Sequence, residues 1–127
     1  MRVLVDTSIW IDYFRSGEHS AALDNLIDEN LLVTNDIILA ELVLFLKIKK
    51  HITVIQLLHE IKQIPLDIKW EGIIECQVRC LKNGANGVGI PDLIIAHNAK
   101  DNDCLVYSLD KHFSLLSRVM KLGLYQK

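Results

Sequence analysis

Four acidic residues stand alone within apolar stretches. Asp6 closes the run Val3-Leu4-Val5, and Glu41 lies inside Ile37-Ile38-Leu39-Ala40-Glu41-Leu42-Val43-Leu44-Phe45. Asp92 precedes Leu93-Ile94-Ile95-Ala96, and Asp110 follows Leu105-Val106-Tyr107-Ser108-Leu109. A carboxylate placed in a core without a cation beside it is costly. On a helix, the positions three and four residues from Glu41 are Ile37, Ile38, Leu44 and Phe45, so no Lys or Arg pairs with it locally. Asp92 meets Ile95 and Ala96 in the forward direction and raises the same question. One divalent-cation centre would offset all four charges, and hard carboxylate oxygens suit Mg²⁺ or Mn²⁺.

Each acid also has an ordinary alternative. Asp6 and Asp110 can be turn or cap residues at strand ends, because Asp readily accepts from nearby backbone N–H groups. Glu41 can pair with a distant Lys or lie at a helix edge, and Asp92 can be a first-turn acid behind Pro91. Their joint occurrence in one short chain favours a shared site over four separate accidents.

The elements that must position these acids alternate between strand and helix. Val3 to Asp6 reads as a buried parallel strand, and Thr7-Ser8 as the cap of a helix over Ile9 to Phe14, broken at Arg15-Ser16-Gly17. A second helix is expected from Ser20 to Asn30, where Ala22, Leu23, Leu26 and Ile27 have amphipathic spacing. Leu31 to Thr34 is a strand, and Asn35 or Asp36 caps the helix carrying Glu41. A helix from Thr53 to Lys62, a strand near Ile64 to Leu66 and a helix from Ile68 to Lys82 follow. Pro91 opens the Asp92 helix, Cys104 to Ser108 is a strand, Phe113 to Met120 a helix and Leu122 to Tyr125 a last short strand. This alternation implies α/β architecture with a mainly parallel sheet and helices on both faces. Ligands then bind beyond the carboxyl ends of the strands, where strand order reverses. Asp6 and Asp110 each sit at such an end.

Composition narrows the function classes. With 127 residues, half of them hydrophobic, a single domain over 1–127 with one core is expected. No apolar run reaches transmembrane length, and the amino terminus meets Asp6 too soon for a signal peptide, so a cytoplasmic protein is expected. A net charge of −2 excludes bulk attraction as the basis of nucleic-acid binding, although metal ions or a local patch reverse the sign at a site. Lys47-Ile48-Lys49-Lys50-His51 is the one dense basic cluster, a solvated helix end or a phosphate contact. Cys76, Cys80 and Cys104 form no CxxC pair and read as small buried hydrophobes rather than as a zinc site of Cys76 and Cys80 with His97 or His112. His97 is expected to be packed or at the surface. Asn83 to Gly89, with three glycines, lacks the residues of a phosphate-binding loop and reads as a connector.

Four segments carry a family resemblance: LVDTSIWIDYF, ILAEL, IPDLIIAHNA and VYSLDKHF. In this order they resemble the signature blocks of PIN-domain ribonucleases, specifically the VapC-type toxins of toxin–antitoxin pairs, and the likeness spans essentially the whole chain. It implies a three-layer α/β/α sandwich with a mainly parallel four- or five-stranded sheet. It also implies Mg²⁺- or Mn²⁺-dependent endonucleolytic cleavage of RNA, a small VapB-type antitoxin as partner, and a homodimer. Asp6, Glu41, Asp92 and Asp110 match the family's metal-binding, catalytic acids, and Ser8 matches a hydroxyl position near the first. Two departures stand out. Many relatives carry an Asp where this chain has His112, which puts a second metal position in question, and His97 replaces a small residue.

In such a centre two cations about 3.5–4 Å apart clamp a phosphodiester, one activating water and one stabilising the leaving oxygen. Asp6 is the expected central ligand, Asp92 and Asp110 direct ligands, and Glu41 a direct or water-mediated one. Thr7 and Ser8 are expected as outer-shell hydroxyls. The products would be a 5′-phosphate and a 3′-hydroxyl, from a tRNA or rRNA. An antitoxin helix is expected in an apolar groove between the Ile9–Phe14 helix and the Glu41 helix, beside Trp10, Ile11 and Phe14, with an Arg reaching Asp6 and Asp92. Two alternatives remain: a catalytically degenerate PIN fold acting as a binding module, and a Mg²⁺-binding receiver domain, which lacks its adjacent acids here.

Overall fold

β1 (Val3–Val5) pairs in parallel with β2 (Leu32–Val33) on one side and β3 (Leu105–Tyr107) on the other, giving the order β2-β1-β3. The computed structural model describes residues 1–15 and 17–126. Ser16, in the expected break after the first helix, lies outside the described residues. All of β1 is buried, which is why it reads as an unbroken apolar run rather than an alternating one.

α1 (Thr7–Phe14) and α2 (Ser20–Asp28) connect β1 to β2. α3 (Asp36–Ile48), α4 (Ile52–Leu58), α5 (Trp70–Lys82) and α6 (Ile90–Asp101) connect β2 to β3, and α7 (His112–Met120) follows. The first connection moves the chain to one side of β1 and the second carries it back past β1. Right-handed crossovers in opposite directions deliver helices to opposite faces, which is the expected three-layer α/β/α arrangement. Leu4, Ile9, Leu42, Ile73, Leu93 and Phe113, from six different elements, are each no more than 2% exposed and meet in the core.

The expected fourth and fifth strands shrink to one isolated bridge at each edge, Thr34 with Gln63 and Val106 with Leu124, both parallel. At the first edge Thr34 N donates to Lys62 O at 3.0 Å and Ile64 N to Thr34 O at 2.9 Å. Pro65 has no N–H with which to continue. The same bridge draws Lys62 out of the helix expected to reach it, so α4 stops at Leu58. Other boundaries shift for local reasons. Asn30, at φ +56°, lies beyond α2 in the left-handed region, and Asp6 is the N-cap residue of α1, placing Thr7 and Ser8 inside the helix.

Asn35 caps α3, its Oδ1 accepting from Ile38 N at 2.9 Å. Its amide also reaches across the core: Asn35 Nδ2 donates to Asn98 Oδ1 at 2.8 Å, and Asn98 Nδ2 to Pro65 O at 2.7 Å. This buried bridge ties α3, α6 and the sheet edge together.

Candidate active site

Asp6 follows β1, and its N–H continues the ladder to Tyr107 O at 2.9 Å. As N-cap residue of α1 its carbonyl accepts from Ile9 N at 3.1 Å, yet its carboxylate makes no capping bond. Instead Oδ2 accepts from Ser8 Oγ at 2.9 Å and Ser108 Oγ at 2.7 Å. The cap alternative therefore fails for this side chain, which is only 8% exposed. Each serine also accepts from the loop after β3: Ser8 Oγ from Leu109 N and Ser108 Oγ from Asp110 N, both at 3.0 Å. These hydroxyls hold the Asp6 carboxylate against the segment carrying Asp110. Thr7 has no such role, because its Oγ1 is buried without a partner.

Asp92 lies in the first turn of α6 and Asp110 in the loop between β3 and α7, where its Oδ1 accepts from His112 N at 2.9 Å. The turn alternative thus holds for one oxygen of Asp110. His112 Nδ1 stands 2.9 Å from Asp92 Oδ2 and 3.3 Å from Asp110 Oδ1. Asp92 is therefore not without a basic neighbour; the neighbour comes from a helix twenty residues on. Asp92, Asp110 and His112 each offer a ligand atom, all within 4.8 Å of one another. Among the described residues this is the one group of three or more suited to a metal.

Glu41 is not a core carboxylate. It sits with Ala40 on the exposed side of α3, which the unbroken apolar sequence around it conceals. Partial burial raises its pKa, and the charges of Asp6 and then Asp92 raise it further, so it faces the same acidic crevice. Burial also raises Asp92; the His112 hydrogen bond works against that shift, while Asp110 and Asp6 add to it. Asp92, Asp110 and His112 thus form the close group, Asp6 is joined to it through Ser108, and Glu41, outside that group like Asp6, is tied to it by charge alone; together they offer oxygen donors, one imidazole and mutual repulsion. That donor set fits a divalent cation.

Sequence reasoning missed Ser108 and treated His112 as a departure and as a rejected zinc partner of Cys76 and Cys80, not as a neighbour of Asp92. The one signal for Ser108 is its place two residues before Asp110, at the end of a buried strand. The features set aside are indeed remote from the crevice or packed. Cys76, Cys80 and Cys104 are buried and free, and His97 is half-buried against Gly72, burial lowering its pKa. The glycine-rich loop has a closer relation, since a side chain at Gly87 would meet His112 Nε2 at 3.9 Å.

Beside α1 an apolar hollow of about 390 Å³ is lined by Trp10, Tyr13, Phe14, Ile27, Val54, Leu57, Leu58 and Ile61. It corrects the expected groove: α2 and α4, not α3, form the other walls, and Ile11 does not line it. Trp10 is 4% exposed, so it forms the floor. No described helix is long and apolar enough to cross a membrane.

The family model described as PIN domain matches residues 3–119. FitAcB from Neisseria gonorrhoeae is similar in fold, with TM-score 0.74 and 22% identity over 98% of this chain and 96% of that one. VapBC2 from Rickettsia felis, bound to a DNA fragment from their promoter, has TM-score 0.77 and 20% identity over 98% of both chains. VapBC-1 from nontypeable Haemophilus influenzae has TM-score 0.71 and 22% identity over 99% of this chain and 98% of that one. Among curated proteins none matches the chain.

Proposed function

The chain belongs to the PIN-domain family, whose members are in general metal-dependent nucleases, and from that premise we propose that it is a metal-dependent endoribonuclease acting as the toxin of a toxin–antitoxin pair. The observation that supports this most is the cluster of Asp92, Asp110 and His112, with Asp6 held beside it through Ser108 and with Asp92 and Glu41 both raised by burial and by neighbouring acids. A receiver domain would need a different constellation and does not match this family.

Asp6, Asp92 and Asp110 would hold Mg²⁺ or Mn²⁺, with Glu41 completing the set from α3. When bound, the ions supply an activated water and charge stabilisation for a phosphodiester. Ser8 and Ser108 hold the Asp6 carboxylate through Oδ2, leaving its other oxygen free for a cation. No side-chain nucleophile is required. The substrate class is RNA, with tRNA or rRNA as the leading candidates.

Two surfaces suit protein partners. The hollow between α1, α2 and α4 fits the apolar face of an antitoxin helix, from which an Arg would reach the acids. α5 exposes Trp70, Ile74, Val78 and Leu81 along one stripe, at 55%, 58%, 44% and 59% exposure. Glu71 and Glu75 flank its first half and Arg79 and Lys82 its second, so a two-fold antiparallel pairing with a second copy would match acid to base. That complementarity supports a homodimer through α5.

The deciding experiment incubates the purified chain with tRNA and rRNA in Mg²⁺ or Mn²⁺. Cleavage leaving 5′-phosphates and abolished by excess chelator is expected. Cleavage undiminished by chelator overturns the metal-dependent mechanism, and RNA binding without cleavage identifies a non-catalytic PIN module.

A further inference from the structure

His112 is the one nitrogen donor in an otherwise oxygen-donor centre, and its geometry is that of a ligand as much as of a counter-ion. Its Nδ1 lies 2.9 Å from Asp92 Oδ2 and 3.3 Å from Asp110 Oδ1. Metal–ligand bonds of about 2.1 Å place neighbouring ligand atoms about 3.0 Å apart in an octahedron and about 3.4 Å in a tetrahedron. Both carboxylate oxygens thus stand near the edge lengths of a coordination shell from the His112 nitrogen, and all three donors lie within 4.8 Å of one another. The imidazole is also held in that pose. Its own backbone N–H donates to Asp110 Oδ1 at 2.9 Å, fixing the first turn of α7 against the acid. On the far side of the ring, Nε2 faces the loop at Gly87, where an added Cβ would stand 3.9 Å away. Nδ1 therefore points into the crevice, and Nε2 carries the proton when Nδ1 gives its lone pair.

We propose that His112 is a direct nitrogen ligand of this centre and that it biases the site towards first-row transition ions such as Mn²⁺ over Mg²⁺. This rests on the metal-dependent function proposed above. The selectivity follows from ligand chemistry: imidazole suits transition ions, whereas Mg²⁺ prefers oxygen donors and gives up water reluctantly. A counter-cation role has the opposite signature. If His112 merely neutralised Asp92 and Asp110, removing it would free two carboxylates and strengthen both ions alike.

The test is calorimetric titration of the full chain with Mn²⁺ and, separately, Mg²⁺, comparing wild type, His112→Ala and His112→Asp. It is joined by electron spin-echo envelope modulation of the Mn²⁺-loaded forms. In wild type, ¹⁴N coupling to Mn²⁺ is expected, and it is lost in both variants. His112→Ala should weaken Mn²⁺ about 10–100-fold, the range for a lost supporting contact at a metal site, while changing Mg²⁺ far less. His112→Asp should shift the preference towards Mg²⁺. Mn²⁺ bound in wild type without ¹⁴N coupling, or a His112→Ala chain binding both ions more tightly by one factor, overturns the role of His112 alone. A wild-type chain that binds neither ion overturns this inference together with the metal-dependent mechanism.

Discussion

Asn35 and Asn98, 0% and 3% exposed, bury their amides by spending them on one another, on Ile38 N and on Pro65 O. Asp6, 8% exposed at the end of β1, receives two serine hydroxyls but stands beside the cluster of Asp92, Asp110 and His112, with Glu41 coupled to it by charge. The amide cluster is neutral and closed by the protein itself, so it serves as architecture. The acidic cluster is oriented by the protein but not fully neutralised by it, and burial, with the neighbouring acids adding to it, keeps Glu41 and Asp92 raised. A polar group that the fold has positioned without satisfying its charge is the mark of a site that something else completes.

The largest effect that separates the two clusters is chemical. Asp6→Asn should lower RNA cleavage by more than about 10³-fold, because it removes a fixed charge at the reacting centre. Circular dichroism should show an unchanged fold; an active Asp6→Asn chain would break the distinction. Asn98→Ala should do the reverse. Leaving Asn35 Nδ2 unpaired in the core and breaking the part-buried bond to Pro65 O costs about 2–4 kcal/mol, read as a midpoint lowered by about 10 °C. Its Mn²⁺ affinity below the transition should match wild type, and a selective loss of metal binding would place the amides in the site after all.

Ser108→Ala sharpens the comparison, since this side chain belongs to the orienting shell. A loss of about 10–100-fold in metal affinity or cleavage is expected, with a melting temperature close to wild type. The smallest effect is electrostatic. A carboxyl whose folded pKa is raised takes up its proton sooner in the folded state, so its contribution to stability is fully present below the unfolded pKa and is lost as pH rises through the folded one. The metal-free chain should therefore lose stability as pH climbs through the raised pKa values of Glu41 and Asp92. Glu41→Gln should recover part of that loss at neutral pH, about 1–2 °C, solvent screening keeping it small. A destabilised Glu41→Gln chain in chelator would show that the acids are not in mutual repulsion.

Much of the positioning is legible in the sequence. β1 and β3 declare themselves as short apolar runs because a strand buried on both faces has no polar positions to interrupt it. The α6 start, with Pro91 in its first turn, and the α3 cap at Asn35 follow from local backbone chemistry. What failed locally failed for a nonlocal reason. Glu41 looked buried because its neighbours are apolar, yet Leu44, three residues on, is 63% exposed, so the sequence pattern of α3 overstates its burial. α4 looked longer than it is because nothing near Lys62 shows that Thr34 will claim its carbonyl.

The chain's own order of residues determined the acids, the strands that end at two of them, the alternating α/β class and the family, since each depends on residue type and short-range period. Only the tertiary structure decided the company those acids keep. Ser108 meets Asp6 across 102 residues because pairing β1 with β3 brings the ends of both strands together, and His112 meets Asp92 across 20 because α7 packs against α6. Contacts of that kind are set by strand order and packing, which no local window of sequence contains.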